Sequence, residues 1–463
     1  MALGKSYILF CLYPRSGRGT KVMVSRAAIT RTTAIIIGVI ILIVAIGAGV
    51  GIYLMAGAAP KETIKVGFSI SLSGKYMTKG KYSLLGFKAW AKWVNEEQGG
   101  IYVAEYGKKL KVELVYYDDK SDKTTAMKLY EKLVEEDRVD VCLCPYSSHL
   151  TYAVTPLLDG YKMFSISHGG ASVKIFQRGL KYVIAVISPT TRYLVDCLSC
   201  LNASLTPANF PGWPDTKPKV AIIYAKTEFP MSCAEAAMSW CGREGWPVVL
   251  YQGYPKEFTP DQIASLVGTA ADYGADIIIG GGYLPDAEAI VTQAKTLGVN
   301  FKFMAFLVGP AMPEFYEDLG ADAEGVVAPT QWEPGMGYTG TDEYPFYGMT
   351  EDKFISLCRE LDTEVLGYDI EYPSYHAAEA CAACIVLQKI IEEAGTLDSD
   401  ALREKAGEIK ITTFFGRYEI DPGTGLQVAH EMAVIQWQGG EKKIVWPEAV
   451  KQADLVFPKP AWT

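Results

Sequence analysis

In TIKVGFSI, residues 63–70, apolar side chains recur at every second position, the period of a strand with one buried face. The segment that follows, YSLLGFKAWAKWVNEEQ, changes to helical spacing and stops at Gly99–Gly100. LKVELVYYDD and the helical pattern of 124–136 repeat that pair. The stretch VDVCLCPYSSHLT (139–151) makes a third unit, apolar up to Cys144 and then broken by Pro145, Tyr146 and two serines. KMFSIS, HGGAS and KYVIAVIS extend the series. Strands alternating with helices at this spacing predict parallel sheets built from βαβ units, with helices on both faces.

The polar, proline-rich run TPANFPGWPDTKP (206–218) interrupts the alternation and reads as a surface loop. A second series then begins with KVAIIYAK and continues through PVVLYQGY, ADIIIGGG and FKFMAFLVG, each separated from the next by a helical pattern. Two series predict two similar doubly wound α/β lobes. Three helical patterns follow between Thr350 and Ile409, and then ITTFFGRYEI and HEMAVIQW, which read as antiparallel hairpin strands.

Ahead of these lobes, 34–55 is an uncharged run of 22 residues, AIIIGVIILIVAIGAGVGIYLM. At about 1.5 Å per residue it spans a hydrocarbon core of roughly 30 Å. All six basic residues of the first 60 precede it, with no acid among those 60. This asymmetry predicts a cytoplasmic tail (1–33), a single transmembrane anchor (34–56) and a body on the extracytoplasmic side. A cleaved signal peptide is the alternative, with Ala56-Gly57-Ala58 as its cleavage site; the apolar run is long for one, which favours the anchor. The net charge of −9 leaves −15 beyond residue 60, and so acidic a body argues against nucleic acid as partner.

Nine of the ten cysteines follow the anchor. Cys197/Cys200 and Cys381/Cys384 have C-x-x-C spacing but lie inside apolar helical patterns, which suits core residues or structural disulfides better than redox chemistry. Cys142, Cys144, His149 and His168 match no standard zinc spacing. Neither metal nor cofactor is implied. The chain has no G-x-S-x-G, H-E-x-x-H or G-x-x-x-x-G-K-[ST], and it reads as a binding protein, not an enzyme.

Open α/β sheets bind ligands beyond the carboxyl ends of their strands. The loops there carry 71–81 (SLSGKYMTKGK), Pro145 to Ser148, His168 to Ser172, Thr227 to Phe229, and Gly281 to Pro285. Ser147 and Ser148 stand where backbone N–H groups and a helix dipole favour an anion such as a carboxylate, or where a serine simply caps the helix.

IKVGFSISLSGKY, VYYDDKSD, CPYSSHLT, TPLLDGYKMFSIS with GGAS, GGGYLPDAEAI and FFGRYEID, in this order, resemble the leucine/isoleucine/valine-binding protein family. The resemblance covers nearly all of 62–440. It implies a type I periplasmic binding fold with three hinge crossings, near Ser188–Thr190, Ala328–Gln331 and Ile409–Thr412. The first lobe is then 62–188 with 332–410, and the second 189–331 with 411–445, followed by a tail, 446–463. It also implies a ligand carboxylate held by Ser147, with Ser148 beside it, and by Ala171 and Ser172, under aromatic groups from Phe229 and Tyr283. The family's acidic partner for an ammonium falls on Leu307, and a first-loop aromatic falls on Lys79, which ranks acidic, amide or aromatic ligands above plain branched-chain ones unless Glu228 or Asp286 substitutes. The implied function is a membrane-tethered solute receptor for an amino acid or related small carboxylate, delivering it to ABC permease subunits by hinge closure. A sensor signalling through a membrane partner is the alternative.

Overall fold

The computed structural model describes residues 61–462; the basic tail, Cys11 and the apolar run of 34–55 lie outside the described residues. No helix among the described residues is long and apolar enough to cross a membrane.

The first lobe is built on β1 (Thr63–Ile70), β2 (Ile101–Val103), β3 (Lys108–Asp118), β4 (Val141–Leu143), β5 (Ser165–Ser167) and β6 (Val183–Ala185). They form one six-stranded sheet in the order β2-β3-β1-β4-β5-β6. All pairings are parallel except that of the short edge strand β2 with β3. The alternation in TIKVGFSI places Ile64, Val66, Phe68 and Ile70 in the core, all without exposure.

The second lobe contains β7 (Val220–Ala225), β8 (Val248–Tyr254), β9 (Ile277–Gly281), β10 (Phe303–Phe306) and β11 (Val327–Thr330). A small hairpin, β12 (Ile411–Thr413) and β13 (Gly416–Tyr418), comes next, and β14 (Ala433–Gln438) and β15 (Glu441–Trp446) end the series. The second sheet runs β15-β14-β11-β10-β9-β7-β8, with β14 and β15 antiparallel. Parallel strands need helical crossovers, which return each chain segment to the same sheet edge and line up the loops at one end.

Three chain crossings join the lobes and are tied to one another. The Ser188 N–H donates to Gln331 Oε1 at 3.0 Å, and Ser188 Oγ donates to the His430 carbonyl at 2.9 Å. The first crossing, at Ser188, lies between β6 and β7, and the second, at Gln331, follows β11. The third falls later than Ile409–Thr412. Hairpin β12–β13 and the turn after it stay on the first lobe, where the Ala185 N–H donates to the Gly425 carbonyl and Gln427 Nε2 to the Val186 carbonyl. Only at Ala433 does the chain join the second sheet. The hairpin forms within ITTFFGRYEI itself, and β14 pairs with β11 and β15 instead.

Helix Tyr375–Ala394 returns from the second lobe to cover the first. It crosses helix Met77–Lys92 closely at Gly86, where a Cβ would stand 2.0 Å from the Ala377 carbonyl oxygen. Only glycine permits that approach. The amino-terminal turns of Tyr375–Ala394 are thereby pressed toward the space between the lobes.

Candidate functional site

That space is a narrow cavity walled by both lobes. The first lobe supplies Tyr146, Ser147, Gly169, Ile187, Tyr375 and Glu379; the second supplies Phe229, Tyr283 and Val308; Tyr193 enters just beyond the first crossing.

Ser147 occupies the N-cap of helix Ser148–Gly160, yet its side chain makes no capping hydrogen bond. Its Oγ is buried and makes no hydrogen bond of good geometry, though it lies close to the hydroxyls of Tyr76 and Tyr283. Ser148 Oγ instead accepts the Ser172 N–H at 3.0 Å, joining the two loops. The Ala171 carbonyl accepts the Thr190 N–H at 2.9 Å, which fixes the small loop to the first crossing. Ala171 and Ser172 therefore back the wall, and Ser172 Oγ is also buried and unpartnered. An uncapped helix start beside a buried serine hydroxyl is suited to an anion, because unsatisfied N–H groups and the helix dipole both favour negative charge there.

Aromatic rings run around the cavity in unbroken succession. Tyr193 meets Phe229 at 5.0 Å between ring centroids, Phe229 meets Tyr283 at 6.2 Å, Tyr283 meets Tyr76 at 5.2 Å, and Tyr76 meets Tyr146 at 6.0 Å. The Tyr76–Tyr283 contact joins the lobes across the cleft. The hydroxyls of Tyr76, Tyr283 and Thr227 are buried without partners, as is Glu379 Oε1. Ser147, Tyr283 and Glu379 line the cavity, and buried polar atoms without well-formed hydrogen bonds mark where a ligand's polar groups belong.

Glu379 is the residue that sequence reasoning missed. It is 1 % exposed, and burial pushes its carboxyl well above the usual range. A signal for it does exist: in YHAAEACAACIVLQ it is the single acid of a mostly apolar stretch of helix. Such an acid needs a reason to be buried.

The remaining candidates fall elsewhere. Leu307 is fully buried but outside the cavity wall, which is made instead by its neighbour Val308. Lys79 is also outside it and only 3 % exposed; burial lowers its pKa to about 8 against the opposing influence of Glu314, Asp286 and Glu288 from the second lobe. Asp286 is already committed, accepting the Tyr283 N–H at 3.0 Å and the Tyr254 hydroxyl at 2.8 Å. Glu228 Oε2 is buried and unpartnered next to Phe229, but Glu228 does not line the cavity. Asp118 and Asp119 serve the turn after β1, accepting from Ser73, and from Ser69 and Ser71. The nine cysteines among the described residues are all free and buried, and no cluster there could hold a metal ion.

Two similar lobes joined by three crossings, with a cavity between them, are the architecture of a two-lobe binding protein. The profile of the periplasmic binding protein family matches residues 63–442, and the chain belongs to that family. It is similar to the Leu/Ile/Val-binding protein homolog 7 of Brucella melitensis, 24 % identical over 421 residues, or 88 % of this chain and 97 % of that one. An amino acid binding protein of Pseudomonas aeruginosa is 23 % identical over 205 residues, 42 % of this chain, and the match spans about half (49 %) of that relative's length. The solute binding protein of an ABC transporter from Rhodopseudomonas palustris HaA2, solved in complex with p-hydroxybenzoic acid, shares the fold with a TM-score of 0.65 at 20 % identity. That match covers 87 % of this chain and 99 % of the other.

Proposed function

We propose that this chain is the membrane-anchored solute receptor of an ABC importer, its body on the extracytoplasmic side, and that it closes its lobes around a small carboxylate. One observation carries the ligand reading: Ser147 Oγ is buried, without a well-formed hydrogen bond and not used as a cap, at a helix start that opens into the interlobe cavity. The relatives' names support the same chemistry, since leucine, isoleucine, valine and p-hydroxybenzoic acid all carry a carboxylate. The Tyr76–Tyr283 ring contact across the cleft supports hinge closure as the way the lobes enclose the ligand.

The anchor rests on the charge asymmetry around the apolar run. Permease subunits are the partners such a receptor serves.

A thermal-shift screen of the full chain in detergent tests the ligand reading, using amino acids and hydroxybenzoates. A ligand of the folded form at about 100 times its Kd adds roughly 2.7 kcal/mol of stability. Failure of every carboxylate in the screen would overturn the proposal. Protease added to intact cells tests the topology: it should degrade the body and leave the first 30 residues protected.

A further inference from the structure

The cavity is chemically two-ended. At one end stand the hydroxyls of Ser147, Tyr76 and Tyr283, with the ammonium groups of Lys75 and Lys256 each 5.6 Å from the ring centres of Tyr283 and Tyr76 respectively. That end is made for an anion. The other end holds Glu379 Oε1, buried and unpartnered, with Tyr146, Tyr193 and Tyr375 near enough to feel its charge. Two of those tyrosines have engaged hydroxyls: Tyr146 Oη with His376 Nε2 at 3.2 Å, and Tyr193 Oη accepting from Gln331 Nε2 at 2.7 Å. They offer the cavity ring surface rather than free acceptors.

Resting on the carboxylate-receptor reading above, we infer that Glu379 receives a cationic end of the ligand, and that this end is an N-alkylated ammonium, making the ligand a small zwitterion. A primary ammonium brings three donors that each need an acceptor, whereas an alkylated one needs fewer and gains from aromatic faces. One carboxylate among ring faces fits the second kind. The isolated acid is costly unless it is neutral or opposed by a cation.

Binding should therefore be linked to protons. Burial favours the protonated form of Glu379, and the groups facing it are aromatic: Tyr146 after β4, Tyr193 at its helix start, and Tyr375 on its own helix, with Phe229 and Tyr283 from the second lobe. No cationic side chain is among these. A ligand cation that pairs with the carboxylate displaces the proton to solvent, so affinity rises with pH.

The test is calorimetric titration of the full chain at pH 7 in two buffers of different ionisation enthalpy, with N,N-dimethylglycine, proline, leucine and 4-hydroxybenzoate as probes. The alkylated zwitterions should bind roughly tenfold or more tighter than leucine, with net proton release. Glu379→Gln, which keeps the shape, should abolish the proton release and weaken those two probes by at least about thirtyfold, leaving 4-hydroxybenzoate within about threefold. Tightest binding of leucine or 4-hydroxybenzoate, or alkylated zwitterions bound without proton release, overturns the inference; the second of these is decided on the unsubstituted chain even if the variant fails to fold. Zwitterion binding that depends on Ser147 but is unchanged by Glu379→Gln leaves the carboxylate-receptor reading standing and removes this one. No binding by any probe removes both.

Discussion

Ser148 Oγ accepts the backbone N–H of Ser172 at 3.0 Å, while the hydroxyl of Ser147, one residue earlier, makes no well-formed hydrogen bond. Adjacent serines thus do different work. Ser148 welds the loop after β4 to the loop after β5, and Ser147 carries the hydroxyl that the proposed ligand would engage.

Ser147→Ala should accordingly weaken binding of a carboxylate ligand by roughly 1.5 to 3 kcal/mol, the worth of a charge-assisted hydrogen bond, and change melting little. Ser148→Ala strands the buried Ser172 N–H and should cost about 1 to 3 kcal/mol of folding stability. Titration and thermal melts of both variants separate the roles. Equal effects on both readouts would show that the two serines are not divided in this way.

Lys79 gives a pH signature. Its folded pKa of about 8 lies below the ordinary 10.5, so between those values the unfolded chain binds more protons and stability rises with pH. The penalty is fully present below about pH 8 and is relieved as pH approaches 10.5. Lys459, also lowered to about 8, contributes in the same direction, so the wild-type curve alone does not isolate Lys79. Lys79→Met should remove part of the rise, visible as a flatter stability curve in urea melts from pH 7.5 to 10. An unchanged slope would mean that Lys79 is not held in the depressed state.

The nine free cysteines are buried, and burial pushes the thiols of Cys144, Cys200 and Cys241 up to about 12. Thiolates are the reactive form, so the folded body should react slowly with a thiol reagent at pH 8 and release all nine only on denaturation. Reductant should leave the melting temperature unchanged. A reductant-induced drop would reveal a disulfide and rearrange the helices that carry Cys197, Cys200, Cys381 and Cys384.

Much of this architecture was legible because its signals are local. The alternation in TIKVGFSI and the proline and serines closing VDVCLCPYSSHLT depend only on neighbouring residues, and both led to β1 and to Ser147. Glu379 was hidden by distance: its cavity neighbours Ser147 and Tyr283 come from other segments, and only the close crossing at Gly86 brings its helix to them. The third crossing was misplaced for a related reason. The strand pattern of ITTFFGRYEI fits an edge of either lobe, and the choice is made by tertiary hydrogen bonds such as Ala185 to Gly425. Lys79 and Leu307, buried but not among the residues lining the cavity, show the limit of positional transfer.

Gln331 is where the hinge can be probed directly. Its Oε1 accepts the Ser188 N–H at 3.0 Å, and its Nε2 donates to the Tyr193 hydroxyl at 2.7 Å and to the Ser188 carbonyl at 3.3 Å. One fully buried side chain thereby clamps the second crossing to the first and orients a ring of the cavity wall. Gln331→Leu keeps the volume but leaves the Ser188 N–H unsatisfied, a cost of about 1 to 3 kcal/mol in stability. Tyr193 would also lose its orienting donor, so ligand affinity should fall along with the melting temperature. Gln331→Glu, able to accept from Ser188 but not to donate to Tyr193 when ionised, should restore part of the stability and less of the affinity. Melts and titrations of the pair decide it: full recovery of both by the glutamate would show that the Tyr193 bond contributes nothing to binding.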